Sequence, residues 1–167
     1  MVKITWFKGE VPKDLYVRQV YGIVFTNDGR LLLKVEDKKG RTDYNFPGGT
    51  PENYDTNFES TLRREFEEEV NTTIKKDVYI LGYQLIENDG DLPPYAQMRV
   101  TALVDKIGES KPDPDNGKTY KRILTTPEKA KKLIGWGEIC DMQIDEAVKV
   151  AKEKFGISEY YDHDEFV

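Results

Sequence analysis

The stretch Phe46–Ile74, FPGGTPENYDTNFESTLRREFEEEVNTTI, decides how the rest of the chain is read. A Pro47-Gly48-Gly49 turn leads through a polar loop into a helical pattern that carries Arg64, Glu65, Glu67, Glu68 and Glu69. With Phe58 at zero and about 100° per residue, Leu62, Phe66 and Val70 fall at about 40°, 80° and 120°, the arc that faces a core. Glu65 at about −20° and Glu69 at about 20° lie on the edge of that arc, Glu68 sits beside Glu65 at about −80°, and Glu67 at about 180° points to water. A carboxylate turned toward a core is costly to desolvate unless it is paired or holds a metal. Residues three and four apart are neighbours on a helix, so Glu65, Glu68 and Glu69 can share one hard cation such as Mg²⁺, with Mn²⁺ as a substitute. Asn71 is expected to end the helix in a left-handed conformation, which asparagine tolerates second best after glycine.

These residues resemble the signature of the Nudix (MutT-like) hydrolases, G-x5-E-x7-R-E-U-x-E-E-x-G-U, with U a bulky apolar residue. Arg64-Glu65-Phe66-Glu67-Glu68-Glu69 matches R-E-U-x-E-E at every specified position. Gly48-Gly49 after Pro47 matches the turn that precedes the helix, and Glu52 sits where many members carry a glutamate. Three positions depart from the pattern. Gly49 to Arg64 is one residue longer, which places an insertion in the loop Asn53–Asn57; the first glutamate has no clear counterpart, Asp55 being the nearest acid; and the closing glycine is Asn71.

The resemblance implies an α/β fold, a Nudix-type α/β/α sandwich with a central mixed β-sheet. It implies a Mg²⁺-dependent hydrolase that cleaves a pyrophosphate bond in a nucleoside diphosphate linked to another moiety, as in a nucleoside triphosphate, a nucleotide sugar or a dinucleotide. On that resemblance Glu65, Glu68, Glu69 and the Gly48 carbonyl hold metal, and Arg64 fixes a signature glutamate. Glu68 is the general base, with Glu109, Asp113 and Asp115 of the loop Gly108–Lys118 as rivals for that role. Read from the residues alone, Arg64 also fits an i,i+4 pair with Glu68 worth a few tenths of a kcal/mol, and the loop acids fit a solvated surface. The departures leave open a non-catalytic Nudix-fold module that senses a nucleotide or presents a protein-interaction surface. A calcium-binding protein fits less well, because the alternating Asp/Asn loop with a central glycine is missing. Tyr16, Tyr21, Tyr83, Tyr95 and Trp136 can stack a base, although aromatics on strands are more often core. No further motif marks one nucleotide over another.

Composition bounds the rest. A chain of 167 residues is read as one domain over 1–167, with 157–167 an acidic C-terminal tail. The formal charge of −6 argues against a nucleic-acid surface, so a phosphorylated small molecule is compatible with it only through a bridging cation. No apolar run reaches the roughly 18 residues of a membrane span, and the first residues lack the apolar segment of a signal peptide. Cys140 is the only cysteine, which excludes an intrachain disulfide and points to the cytoplasm; it reads as a small buried hydrophobe. A homodimer is compatible with the sequence, and His163, the only histidine, is assigned no role.

Along the chain, strands are expected around Ile4–Phe7, over Val17–Phe25 and over Leu31–Val35, the last two joined in a hairpin by Asn27-Asp28-Gly29. Glu36–Asp43 reads as an exposed loop. Val78–Glu87, with Gly82 as a bulge, and Ala96–Val104 are further strands. The Gly108–Lys118 loop leads to a last strand over Thr119–Leu124. Thr126 and Pro127 then start a helix that Gly135 ends, and a second helix runs over Asp145–Phe155 with Ala147, Val148, Ala151 and Phe155 on its core side. The tail is expected to be ordered only if it packs on something.

Overall fold

The computed structural model describes residues 1–167. The first strands are β1 (Lys3–Lys8), β2 (Tyr16–Phe25), β3 (Leu31–Lys38), β4 (Arg41–Asn45) and β5 (Gly48–Gly49), followed by helix α1 (Phe58–Val70). Next come β6 (Thr72–Ile74), β7 (Tyr79–Glu87), β8 (Tyr95–Ile107) and β9 (Lys121–Thr125). Helices α2 (Pro127–Ile134) and α3 (Glu138–Phe155) precede the terminal strand β10 (Glu165–Phe166). The sheet runs β1-β7-β8-β2-β3-β9-β10, with β4 on β3, β5 on β2 and β6 on β8. It is mixed: β2 and β8 are parallel and the other pairs antiparallel.

Helix α1 covers one face of this sheet, where Leu62, Phe66 and Val70 pack with Val20, Val24, Leu32, Met98 and Val100. Helices α2 and α3 cover the other, where Ala130, Ile144, Ala147 and Ala151 pack with Ile23, Phe25, Leu31, Leu33 and Phe46. The arrangement is the expected α/β/α sandwich. Because both faces are covered, the inner strands are buried on both sides, as parallel-paired strands usually are. The alternation of Gln97, Arg99 and Thr101 with Met98 and Val100 therefore separates two covered faces, and Arg99 and Thr101 are buried rather than solvated.

The helix ends follow local chemistry. Asn57 caps α1 by accepting from Ser60 N at 2.9 Å, while the Ser60 hydroxyl accepts from Asn57 N at 3.1 Å. Asn71 ends α1 at φ 43° and ψ 50°, its N–H donating to the Glu67 carbonyl. Thr126, Pro127 and Gly135 bound α2 as expected. Helix α3 begins at Glu138, seven residues earlier than its apolar stripe suggested.

Two expectations change. The turn at Asn27-Asp28-Gly29 forms, but the strands it joins pair only at Phe25↔Leu31. Beyond that point β2 runs beside β8 and β3 beside β9, since each strand needs a partner that completes both cores. Glu36–Asp43 is a hairpin rather than a loop, with β3 and β4 paired from Lys34↔Asn45 to Lys38↔Arg41. Strands β5 and β6 are too short to carry a periodicity. The tail is ordered along the edge at β9: Glu165 pairs with Leu124, Ile157 is buried, and Arg30 Nη1 donates to the His163 carbonyl at 3.0 Å. No helix is long and apolar enough to cross a membrane.

Candidate active site

Four segments meet at the acidic face of α1: the β5 turn, the loop before the helix, β3, and the Gly108–Lys118 loop. Gly48 has φ +154° and pairs with Tyr21 of β2. A Cβ there would lie 2.7 Å from Tyr21 Cα and inside contact distance of the Val20 carbonyl, so only glycine lets β5 lie against β2. Once seated, Gly48 N–H donates to Glu69 Oε1 at 2.8 Å. A Cβ on Gly49 would overlap the Glu65 carboxyl. The two glycines thus set bare backbone against the two acids that lean into the core, Glu65 at 9% and Glu69 at 7% exposure.

Arg64 gathers acids from two segments. Its Nε and Nη2 fork onto Asp55 Oδ1 and Oδ2 at 3.2 and 3.0 Å. Its Nη1 donates to Glu65 Oε1 at 3.1 Å and Glu68 Oε2 at 3.0 Å, so the i,i+4 pair with Glu68 is present as well. Asp55 stands six residues after Gly49, the spacing of the signature's first glutamate, and the additional residue falls between Asp55 and Arg64. That corrects the reading that left this position without a counterpart. Asp55 also accepts from Glu52 N and the Thr61 hydroxyl, each at 2.9 Å, whereas the Glu52 side chain is exposed. The hydrogen bonds from Arg64 are the main reason the Asp55 carboxyl is held down to about 2.

The remaining acids are raised. Burial, then the charge of Glu69, pushes Glu65 up to about 7 against the pull of Arg64. Burial raises Glu69 too, opposed by an ion pair between its Oε2 and Lys34 Nζ and by the Gly48 N–H. Lys34 also lies 4.7 Å from the centroid of the Tyr120 ring. Sequence reasoning missed this lysine, although it is the one charge inside the apolar run LLLKV. Burial raises Glu68, with Asp115 and Asp113 adding to the effect and Arg64 opposing it.

The loop acids separate. Carboxylate oxygens of Glu68, Asp113 and Asp115 all lie within 4.8 Å of one another. Asp113 is buried, accepts from Asp115 N at 2.8 Å, and is fixed by turn bonds from Asp113 N to the Lys118 carbonyl and from Gly117 N to its own carbonyl. Glu109 contributes only its carbonyl, which accepts from Asn71 Nδ2 at 2.8 Å, and its exposed side chain stands outside the cluster. Asn71 therefore ties the end of α1 to the start of this loop. Three converging carboxylates repel one another unless a proton or cation lies between them, and an all-oxygen donor set fits a hard ion such as Mg²⁺ or Mn²⁺. Of the candidate stacking aromatics, Tyr83 and Tyr95 are buried, Tyr21 is half-buried, and Tyr16 and Trp136 present open rings.

The family model described as the NUDIX domain matches residues 15–138. No curated protein matches the chain. Among solved structures it is similar to the Bacillus subtilis pyrophosphohydrolase BsRppH, at TM-score 0.67 and 19% identity over 88% of this chain and 90% of that one. It is similar to a NUDIX hydrolase from Nitrosomonas europaea, at TM-score 0.60 and 18% identity over 88% and 98%. It is also similar to a C. elegans Ap4A hydrolase, at TM-score 0.50 and 16% identity over 79% and 96%. At these identities the likeness concerns the fold.

Proposed function

Because the chain belongs to the Nudix family, whose members are hydrolases acting on acid anhydrides, we propose that it cleaves a pyrophosphate bond in a nucleotide-type small molecule with the help of Mg²⁺ or Mn²⁺. The convergence of Glu68 with Asp113 and Asp115, on the helix face that also carries Glu65 and Glu69, is the observation that supports this most.

Glu65, Glu68, Glu69, Asp113, Asp115 and the Gly48 carbonyl would hold the metal. When bound, it offsets phosphate charge and lowers the pKa of a coordinated water. Arg64, itself clamped by Asp55, keeps the Glu65 and Glu68 carboxylates from swinging outward. Glu68 accepts the proton of the attacking water, with Asp113 and Asp115 beside it as alternatives; its raised pKa suits a base better than an ordinary exposed carboxylate does. The new bond forms between water oxygen and phosphorus, and the anhydride P–O bond breaks to release two phosphorylated products. Lys34 opposes the upward push of burial on the Glu69 carboxyl. The net charge of −6 and the lone, buried Cys140 fit a cytoplasmic enzyme that handles small molecules rather than nucleic acid.

The test is a panel of nucleoside triphosphates, nucleotide sugars and dinucleotides incubated with Mg²⁺ or Mn²⁺, with nucleotide products read by chromatography. Hydrolysis of at least one class is expected. Tight binding without hydrolysis across the whole panel would leave a non-catalytic sensing module in its place.

Metal binding should depend on pH in a stated direction. Glu65 releases its proton near pH 7, so Mg²⁺ affinity should rise up to about tenfold per pH unit below pH 7 and flatten above it. In the metal-free protein the raised pKa means that the folded state holds this proton more tightly than the unfolded one. The stabilisation from Glu65 is then fully present below about 4.5 and is lost as pH climbs through about 7. Calorimetric Mg²⁺ titrations and thermal melts at pH 6, 7 and 8 check both trends; a flat affinity would remove Glu65 from the metal ligands.

A further inference from the structure

On the face of the sheet covered by α3, a cation is buried with no carboxylate beside it. Arg99 is 1% exposed, and its partners are Gln143 Oε1 at 2.8 Å, the Met98 carbonyl at 3.3 Å and the face of the Tyr21 ring, 4.9 Å from Cζ to centroid. Burial lowers its pKa only to about 10, so it stays charged at neutral pH. A guanidinium can only donate. Gln143 must therefore turn its oxygen toward Arg99 and its Nε2 away, and this fixes every amide that follows. Gln143 Nε2 donates to Gln84 Oε1 at 2.7 Å, Gln84 Nε2 donates to Gln97 Oε1 at 2.9 Å, and Gln97 Nε2 donates to Gln19 Oε1. Gln84, Gln97 and Gln19 occupy paired register positions on β7, β8 and β2, so the row crosses three neighbouring strands.

The row runs one way, from a buried charge to a single free end. That end is Gln19 Nε2, an NH₂ group with no hydrogen-bond acceptor in the chain, on a half-buried side chain that solvent reaches. Bonds in such a chain polarise one another, so the terminal N–H groups are stronger donors than those of an isolated amide. Beside it, β2 bulges between Val17 and Gln19, and Arg18 is the extra residue. The Arg18 guanidinium lies 5.1 Å from the centroid of the Tyr95 ring and makes neither an ion pair nor a hydrogen bond. Two adjacent residues thus offer donors without acceptors in a chain with 31 acids and 25 Lys and Arg. The next residue, Val20, pairs with Gly49 of the turn that enters the acidic site.

We propose that Arg18 and Gln19 form an anion subsite that takes a phosphoryl oxygen of the substrate, with Arg99 as a positioning residue acting through Gln143, Gln84 and Gln97. That the anion belongs to a substrate rests on the pyrophosphohydrolase reading; that an anion binds here does not. The end of the row selects for groups that accept, such as a phosphate, and against amines.

The test is a ¹H–¹⁵N titration of the side-chain amides of the full chain in EDTA, where the uncompensated carboxylates of the acidic cluster repel anions. Inorganic pyrophosphate is the probe in one arm and orthophosphate in the other. The Gln19 NH₂ signals should shift saturably, with those of Gln97 following, and pyrophosphate should bind more tightly than orthophosphate. Gln19→Glu keeps an oxygen for the Gln97 donor but replaces the terminal donor with an acceptor. It and Arg18→Ala should each weaken pyrophosphate binding by about tenfold or more, with melting curves confirming that both fold. Arg99→Met should lower the affinity with Arg18 still in place; an unchanged affinity would strip Arg99 of its role. No response at Gln19, or wild-type affinity in both subsite variants, would overturn the subsite. Orthophosphate binding as tightly as pyrophosphate would overturn its assignment to the substrate. None of these readouts requires turnover, so they are independent of whether the acidic site hydrolyses anything.

Discussion

Glu68→Gln is expected to lower turnover by about two to four orders of magnitude, the usual loss on removing a general base, while the melting temperature holds or rises. The two effects part because Glu68 stands in a crowded set of charges. Its oxygens share a 4.8 Å neighbourhood with Asp113 and Asp115. Glutamine keeps an oxygen for Arg64 Nη1, now 3.0 Å from Glu68 Oε2, and removes one of three mutually repelling charges. Glu69→Gln should behave differently: it breaks the pair with Lys34 and leaves a largely buried ammonium without a partner, so turnover and stability should fall together. Initial rates and thermal melts of both variants beside wild type make the comparison. Turnover of Glu68→Gln within a few-fold of wild type would remove Glu68 as the base and pass the role to Asp113 or Asp115.

Gly48→Ala should be among the most damaging single methyl groups in the chain. The position combines φ +154° with a β carbon that would press on Tyr21 Cα and the Val20 carbonyl, both backbone atoms of a paired central strand. Backbone strain of this kind costs about 1–3 kcal/mol and overpacking a similar amount, so a loss of about 2–6 kcal/mol is expected. For a chain of this size that lowers the melting temperature by about 10 °C. Relief would come by lifting β5 off β2, which withdraws the Gly48 N–H from Glu69 and takes the acidic site with it. Gly40 is the matched control, because its φ is also positive at +85° but nothing lies within 4 Å of its β position. Gly40→Ala should carry the strain without the overlap and keep its metal affinity. Equal losses in the two variants would show that close packing at Gly48 does not hold the site.

Much of this was legible from residues a few positions apart. On α1 the apolar arc of Leu62, Phe66 and Val70 is buried, Glu65 and Glu69 are drawn in with it, and Glu67 is in water, as a 3.6-residue repeat requires. Asn71, Thr126, Pro127 and Gly135 end or begin helices where they stand, because a cap is satisfied by backbone groups within four residues. The bulge read at Gly82 appears as a register shift between Ile80 and Gly82, with Leu81 the extra residue.

Other features had no local signal. Asn27-Asp28-Gly29 specifies a turn but not that its two strands diverge to other partners. Glu109, Asp113 and Asp115 are alike in sequence; only the folded loop buries Asp113 and leaves the Glu109 side chain outside the cluster. Asp55 meets Arg64 across an additional residue, Lys34 reaches Glu69 from another strand, and the glutamine row is assembled from β2, β7, β8 and α3. Neighbouring residues alone set the helix that carries the acids, which of them lean inward, and where the helices stop, since those follow from torsions and hydrogen bonds within one turn of chain. The tertiary structure decided which charges meet, because a side chain's partner from a distant segment depends on how the whole sheet is ordered, and no short window of residues contains that order.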